Sequence, residues 1–266
     1  MKLFYRKYGA GPPLIILHGM YGFSDNWVSI AKTLATSFTI YLPDQRNHGQ
    51  SDHNKLHDYQ CMSNDLHEMV NEIGLKKFFL AGHSMGGKTA ISFALQWPEM
   101  VEGLLVADIS PFKSELNSDE FHGLHKNILE TIISIDPSLI TSRDQVDFIL
   151  SNNIPSEKIR GFIMKNLERT SSDSFKWKLN AEALLYNLDS IMDGLPRPEQ
   201  QAIQITGFPV IFLKAEESSY IPESDFKDIQ KLFPAVEIRT IENSGHWIHV
   251  DRPDAVIEGL LNLLIA

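Results

Sequence analysis

The chain has 266 residues, 43% of them hydrophobic and 22% charged, the composition of a globular protein with a sizeable buried core. Its formal net charge of −10, without any run of basic residues, argues against nucleic acid or an anionic membrane as a partner. The single cysteine, Cys61, excludes an internal disulfide. The N-terminus lacks the apolar region of a secretory signal, and no apolar stretch approaches the roughly 20 residues that a membrane helix needs. A cytoplasmic protein is therefore expected.

Strand and helix signals alternate through the first part of the chain. Short apolar runs predict strands over residues 3–6, 14–17, 38–42, 78–81 and 101–107. Between them, the spacing of apolar residues predicts helices over residues 24–36, 59–73 and 88–97, the first of them capped by Ser24 or Asp25. This alternation predicts an α/β fold, with a mostly parallel sheet, right-handed crossovers and helices on both faces.

The pattern changes in the middle of the chain. Residues 111–206 show no convincing strand; helical stretches occur at 119–135, 143–150, 157–167 and 180–192, and a proline-rich return at 195–198. Alternation resumes with strands at 210–213 and 236–241 and helices at 223–232 and 253–264. We therefore predict a core domain of residues 1–110 and 207–266. Residues 111–206 form an inserted helical cap over the carboxyl edge of the sheet, where such folds bind ligands.

The motif Gly82-x-Ser84-x-Gly86 lies between a predicted strand and a predicted helix. In that setting the serine stands at the tip of a sharp turn, in a strained backbone conformation that projects its hydroxyl above the sheet. Strand and helix then pass so close that the positions two before and two after the serine must be small, and both are glycine. Ser84 is therefore the candidate nucleophile.

Among the ten histidines, His246 is the best candidate for the general base. It follows a predicted strand near the C-terminus, in a loop that begins Asn243-Ser244-Gly245. A histidine that follows the serine in the chain is the order expected where the serine stands on a strand-to-helix turn of this kind. His83 adjoins the serine and is expected to pack, His18 is expected to support its loop, and His249 carries little weight.

Five segments in this order carry a resemblance to a known family: HGMYG from His18, DQRNHGQS from Asp44, GHSMGGK from Gly82, DISP from Asp108 and SGHW from Ser244. They resemble the α/β-hydrolase fold along nearly the full chain and, within it, the YbfF-like esterases. The resemblance implies hydrolysis of carboxylic esters, or of acyl thioesters, of short to medium acyl length. A small-molecule substrate and a Ser-His-Asp triad without a cofactor are then expected.

The acid of the triad has more than one candidate. Most members of this fold place it after the strand that follows the cap, but there the chain reads Ala215-Glu216-Glu217-Ser218, with serine where aspartate is expected. The YbfF-like resemblance implies instead that Asp108, at the end of the strand after the nucleophile's helix, orients the histidine. We favour Asp108, with Glu217 or Glu216 second and Asp225 third.

Two backbone amides are expected to form the oxyanion hole. The first is that of Met85, at the start of the helix after the nucleophile, where N–H groups lack partners within the helix. In this fold the second comes from the residue after His-Gly in the loop that follows the strand at 14–17, which is Met20 here.

A charged loop and a group of histidines invite other interpretations. In the loop at 44–51, Asp44 and Arg46 are expected to fix a turn rather than bind a ligand. Four potential metal ligands stand close in sequence: Asp52, His53, His57 and His67. No cysteine or glutamate completes a convincing ligand set with them, so no metal site is expected.

The predicted cap contains residues that could bind a substrate. Apolar residues of the cap are numerous enough to line an acyl pocket: Phe112, Phe121, Leu124, Ile128, Phe162, Phe175, Trp177 and Leu185. Three cationic residues, Arg169, Lys176 and Lys178, are candidates to meet a polar head group. Serine in place of aspartate at position 84 excludes haloalkane dehalogenases and epoxide hydrolases. A C–C hydrolase or lyase on the same triad, and a non-enzymatic ligand-binding member of the fold, stay open as alternatives.

Overall fold

The computed structural model describes residues 1–113, 118–171, 174–195, 197 and 204–265. Pro196 and Pro198 of the predicted return from the cap lie outside the described residues. Nine strands are present in the described ranges: β1 Tyr5–Tyr8, β2 Pro13–Leu17, β3 Thr39–Pro43, β4 Phe78–His83, β5 Val101–Ala107, β6 Leu167–Arg169, β7 Phe175–Trp177, β8 Val210–Ala215 and β9 Val236–Ile241. The helices of the same ranges are α1 Val28–Leu34, α2 Tyr59–Ile73, α3 Met85–Gln96, α4 Ser118–Ser134, α5 Arg143–Ser151, α6 Glu157–Met164, α7 Ala181–Tyr186, α8 Leu188–Met192, α9 Phe226–Leu232, α10 Ile248–Asp251 and α11 Pro253–Asn262.

Seven of the strands form one sheet in the order β1-β3-β2-β4-β5-β8-β9. Only β1 is antiparallel to its neighbour, so the predicted mostly parallel sheet is confirmed. The crossovers place β2, β4, β5 and β8 side by side, and the carboxyl ends of parallel strands meet at one edge of a sheet. The candidate site residues that follow these strands are therefore brought to the same edge.

Both faces of the sheet are covered by helices, as predicted. Along β4, Phe78 and Leu80 face a core that includes residues of α2 and α3, whereas Phe79 and Ala81 face the opposite core with residues of α1 and α11. Every residue of β4 is buried. A strand enclosed on both sides has no polar face, which is why it appears in the sequence as a continuous apolar run.

The prediction that residues 111–206 contain only helices is wrong. Strands β6 and β7 pair antiparallel as a separate two-stranded ribbon, with Leu167 opposite Trp177. Each strand has only three residues, too few for the alternating pattern by which a strand is recognised in sequence. Within the described part of this segment, no strand joins the seven-stranded sheet.

Other boundaries also differ from the prediction. Strand β1 begins two residues later than expected, because the backbone of Phe4 bonds to the loop that contains Asp44 and Ser51. The helix expected over 180–192 is two helices, since the side chain of Asn187 donates to the carbonyl of Ala183 at 2.7 Å and interrupts the run. A 3-10 turn, Ser24–Trp27, precedes α1; its N-cap is Phe23 rather than Ser24 or Asp25.

None of the helices in the described ranges combines the length and the apolar character that crossing a membrane requires.

Candidate active site

Ser84 stands at the junction of β4 and α3, in the strained conformation that its motif predicts. Its φ of 53° and ψ of −125° lie outside the regions that L-residues ordinarily adopt. The flanking glycines are required by space, because a Cβ on Gly86 would lie 2.5 Å from the carbonyl oxygens of Leu17 and His18, and a Cβ on Gly82 would overlap the carbonyl of Gly86. The Ser84 N–H donates to the carbonyl of Ala107 on β5 at 3.0 Å, which holds the turn against the sheet.

The structure brings together Ser84, His246 and Asp108, which are far apart in the chain. His246 Nε2 lies 3.0 Å from Ser84 Oγ, and His246 Nδ1 lies 2.8 Å from Asp108 Oδ2. A carboxylate only accepts hydrogen bonds, so Nδ1 carries the proton and Nε2 is left to accept from the serine hydroxyl. The three groups thus have the relative placement that a nucleophile, a base and an orienting acid require.

Asp108 is fully buried at the end of β5, with a φ of 49°. The N–H of Ala215 donates to its Oδ1 at 2.9 Å, and the hydroxyl of Ser218 donates to Oδ2. Ser218 occupies the position where most members of the fold are expected to keep their acid. Where an acid would be expected, this chain therefore has a hydroxyl, that of Ser218, which donates to the Asp108 carboxylate at the end of β5.

The alternative acids are engaged elsewhere. Glu216 and Glu217 are exposed, and Glu216 accepts from the backbone of Asn243 at 2.9 Å. Asp225 is buried and accepts from Ser110 Oγ at 2.5 Å and from Arg197 at 2.9 Å. His246 Nδ1 meets Asp108 and none of these three carboxylates.

The imidazole of His246 contacts two rings that sequence reasoning did not assign to it. Tyr220 stacks on it, with ring centroids 3.8 Å apart and planes 20° apart, and the ring of His83 lies 4.7 Å away, tilted by 43°. His83 also donates from Nε2 to the carbonyl of His246 at 2.7 Å. The predicted packing role of His83 thus includes a direct tie to the loop of the base. His249, given little weight from sequence, extends the column of rings and lies 4.7 Å from His83.

His125 of α4 connects the cap segment to this column. Its Nδ1 lies 3.0 Å from the Tyr21 hydroxyl, and its Nε2 lies 3.4 Å from the Tyr220 hydroxyl. Burial lowers the pKa of His125 to about 3, so it is neutral and can donate from one nitrogen while accepting at the other. No sequence motif marks Tyr220 or His125, because their partners are distant in the chain.

The loop after β2 lies directly beside Ser84. A Cβ on Gly19 would be 3.1 Å from Ser84 Cβ, so a larger residue there would press on the serine. His18 supports the loop: its Nε2 accepts from the Gln45 N–H at 2.9 Å, as the predicted structural role requires. Met20 and Met85 line the space around Ser84, and Met85 is the first residue of α3.

The charged loop at 44–51 is built from internal contacts. Asp44 is buried and accepts from the backbone N–H groups of Ser24 at 2.6 Å and Gln50 at 2.8 Å. Arg46 forms a two-pronged pair with Asp65 of α2, at 2.6 and 2.8 Å. Both side chains of this pair are more than nine-tenths buried.

Replacing Arg46 by methionine is expected to lower the free energy of unfolding by about 2–4 kcal/mol, because the buried Asp65 carboxylate loses two charged hydrogen bonds and, among the described residues, keeps only its pair with the N-terminal ammonium of Met1 at 2.8 Å. Chemical denaturation measures the loss. Lys126→Met is the matched control: its pair with Glu130 is half exposed on both sides, and a loss below about 1 kcal/mol is expected. Equal losses in the two variants would contradict the structural role of the Arg46 pair.

The histidines considered for a metal have other contacts. His57 is buried, with Nδ1 3.2 Å from Asn47 Nδ2, and burial lowers its pKa to about 3. His67 stacks on Trp97 at 4.1 Å. Among the residues that the structure describes, no three histidine, cysteine or acidic side chains are grouped so as to hold a metal ion.

A cavity of about 310 Å³ opens beside Ser84 and His246, and a smaller one of about 50 Å³ adjoins it. We call them the large lobe and the small lobe. The residues that border both lobes are Met20, Ser84, Phe121, His125 and Tyr220. Ser84 therefore stands where the lobes meet, so that two parts of a molecule bound at its hydroxyl could occupy different lobes.

The cap residues named from the sequence divide into two groups. Phe121, Leu124, Ile128 and Phe162 line the large lobe, and Phe112 lines the small one. Phe175, Trp177 and Leu185 instead join the apolar cluster inside the cap segment. Of the cationic candidates, Lys176 pairs with Glu168 at 3.0 Å, and neither it nor Lys178 nor Arg169 is among the described residues that line either lobe.

Comparison with known proteins agrees with this architecture. A family model described as alpha/beta hydrolase fold matches residues 12–135. An "sn-1-specific diacylglycerol lipase ABHD11" of Danio rerio is 34% identical over 258 residues, which cover 96% of this chain and 79% of the relative. "Esterase YbfF" of Escherichia coli is 25% identical, covering 95% of this chain and 92% of the relative. A solved structure titled "Marine microorganism esterase" superposes with a TM-score of 0.92 at 41% identity, covering 98% of this chain and 99% of that one.

Proposed function

The chain belongs to the alpha/beta hydrolase fold family, as its motifs predicted, and we propose that it is a carboxylesterase-type serine hydrolase. The observation that carries the proposal is the continuous hydrogen-bonded connection from Ser84 through His246 to Asp108. The relatives support the chemistry by their names, a diacylglycerol lipase and two esterases.

In the proposed first step, Ser84 Oγ attacks the carbonyl carbon of an ester while His246 Nε2 takes the hydroxyl proton. Asp108 accepts from Nδ1–H, keeps the imidazole in the required tautomer and stabilises the imidazolium that forms. The face of the Tyr220 ring, 3.8 Å from the imidazole, adds an attractive surface for this positive charge.

The negative charge of the tetrahedral intermediate is proposed to be met by the backbone N–H groups of Met20 and Met85. The N–H of Met85 has no acceptor within α3, since it belongs to the first turn of the helix, and its partial positive charge favours an oxyanion. His246 then gives its proton to the leaving alcohol, which departs and leaves an acyl group on Ser84. Water activated by His246 releases the acid in a second cycle of the same steps.

The segment over the site is proposed to act as a cap of residues 111–206 on a core of residues 1–110 and 207–266. Residues of α4 and α6 line the large lobe, so the cap segment excludes water from the nucleophile and sets the pocket's shape. The lobe's volume and apolar lining support esters of short to medium chain; thioesters of similar acyl groups would present the same carbonyl. A cytoplasmic location is part of the proposal and suits the single cysteine.

The proposal is tested by initial rates on p-nitrophenyl esters from acetate to laurate. We expect turnover that peaks at a short or medium chain and then falls, because the walls of the cavity limit chain length. Absence of turnover on every ester of the series would contradict the proposed activity, and rates that rise steadily to laurate would contradict the chain-length part alone.

A further inference from the structure

The small lobe ends at a buried ammonium group. Lys88 stands four residues after Ser84 on α3, one helical turn away on the same face, and it lines this lobe. Its side chain is 8% exposed. Nζ donates to the carbonyl of Asp193 at 2.5 Å and to that of Met192 at 3.5 Å, and lies 5.8 Å from the ring centre of Tyr59.

Among the described residues, no carboxylate forms a direct ion pair with the Lys88 ammonium. The Asp193 side chain pairs with Lys113 at 3.1 Å, and Lys88 donates to the backbone carbonyl of Asp193. Burial lowers the pKa of Lys88, and the charge of the Asp193 carboxylate, which favours the ammonium form without a hydrogen bond, only partly offsets that effect. An ammonium group has three N–H donors, of which two carbonyls engage two. A buried cation that is not paired is costly, so this arrangement favours an additional anion at the lobe.

The charges around the cavity also favour an anionic ligand. The protein carries a net charge of −10, yet no aspartate or glutamate is among the described residues that line either lobe. Lys158, the cation of the large lobe, is already paired with Asp251 at 2.8 Å. Burial lowers the pKa of Lys88 to about 8, which leaves it mostly protonated at neutral pH. Among the described residues that line the two lobes, Lys88 is thus a buried cation without a direct carboxylate partner.

We propose that the small lobe is an acyl subsite for substrates whose acyl chain ends in a carboxylate, with Lys88 binding that carboxylate and the large lobe holding the alcohol. The substrates are then half-esters, or half-thioesters, of short dicarboxylic acids. This inference rests on the proposed ester hydrolysis at Ser84 and specifies its substrate class.

The size of the small lobe is consistent with such an acyl chain. One water molecule needs about 10–15 Å³ of cavity, so a lobe of about 50 Å³ has room for roughly three to five non-hydrogen atoms. A carboxylate with one or two methylene groups fills that space. Longer acyl chains would have to enter the large lobe, away from Lys88.

The test compares two ethyl esters of the same shape by initial rates at neutral pH. Ethyl hydrogen succinate carries the carboxylate, and in ethyl 4-methylpentanoate two methyl groups replace its oxygens. We expect the wild type to favour the succinate ester in kcat/KM, and Lys88→Met to lower the ratio of the two values about 10- to 100-fold, the effect of a hydrogen bond to a charged group. Lys231→Met, which removes an exposed charge outside both lobes and away from Asp193, should leave the ratio unchanged.

The ratio of the two kcat/KM values distinguishes recognition of the carboxylate by Lys88 from a purely structural role of this lysine. If Lys88 only ties the end of α8, Lys88→Met lowers the melting temperature and both rates together, and an unchanged ratio overturns the inference. Should that variant not fold, inhibition of the wild type by succinate with the neutral ester as substrate decides: competitive inhibition supports the subsite, and its absence refutes it. Hydrolysis of the neutral ester alone overturns the inference and leaves the proposed function standing. Hydrolysis of neither ester also overturns the inference, and the p-nitrophenyl ester series then decides separately on the proposed function.

Discussion

Replacement of Ser84 by alanine is expected to lower kcat for ester hydrolysis by a factor on the order of 10⁶, the size of effect seen when a serine hydrolase loses its nucleophile. Alanine keeps the backbone of the turn but provides no oxygen to form the acyl-enzyme. Residual turnover above the uncatalysed rate is expected, because the oxyanion donors and the cavity remain. Rates on a p-nitrophenyl ester, beside the wild type at the same concentration, measure the loss.

Ser92→Ala is a suitable control for this substitution. Ser92 lies on α3, and its hydroxyl donates to the carbonyl of Tyr59 at 3.4 Å, outside both lobes. Its rates should match those of the wild type. If Ser84→Ala retained more than about a tenth of the wild-type rate, far above the loss expected for a nucleophile, Ser84 would not be the nucleophile.

Asp108→Asn is expected to lower kcat about 10⁴-fold with little change in the fold. The amide oxygen can still accept from Ala215, so the NH₂ group takes the place of Oδ2 beside His246 Nδ1. A donor at that point forces Nδ1 to accept and moves the ring proton to Nε2. The imidazole then cannot take the proton of Ser84.

The same assay distinguishes the candidate acids. Glu217→Gln should retain the wild-type rate, because Glu217 is exposed and His246 Nδ1 is already paired with Asp108. A large loss in Glu217→Gln together with a small loss in Asp108→Asn would transfer the role of orienting acid to Glu217. Circular dichroism of each variant ensures that the rates compare folded proteins.

The features that could be predicted from sequence are those whose cause is local. The glycines around Ser84 are required by the close approach of β4 and α3, a constraint contained within five consecutive residues. Strands buried on both faces appear as apolar runs, so the succession of strands and helices along the chain, and with it the fold class, could be predicted. The motif order also indicated the family, and the relatives confirm it.

The features that could not be predicted depend on contacts between distant segments. Tyr220 meets His246 only because β8 and β9 are neighbours, and His125 reaches both tyrosines only through the packing of α4 over the sheet. The ribbon of β6 and β7 is too short to show a period. The sequence does show a serine, Ser218, where most members of the fold have the acid. Only the folded structure shows that its hydroxyl donates to Asp108.

Labelling with a fluorophosphonate is the most direct way to establish whether Ser84 is the nucleophile of a covalent reaction. The reagent forms a stable adduct with an activated serine, and mass spectrometry of peptides locates it. We expect one adduct per chain, on Ser84, with ester turnover lost in proportion to labelling and no adduct in Ser84→Ala. Ester turnover that persists in fully labelled protein, or a label on another residue with loss of activity, would contradict this role of Ser84.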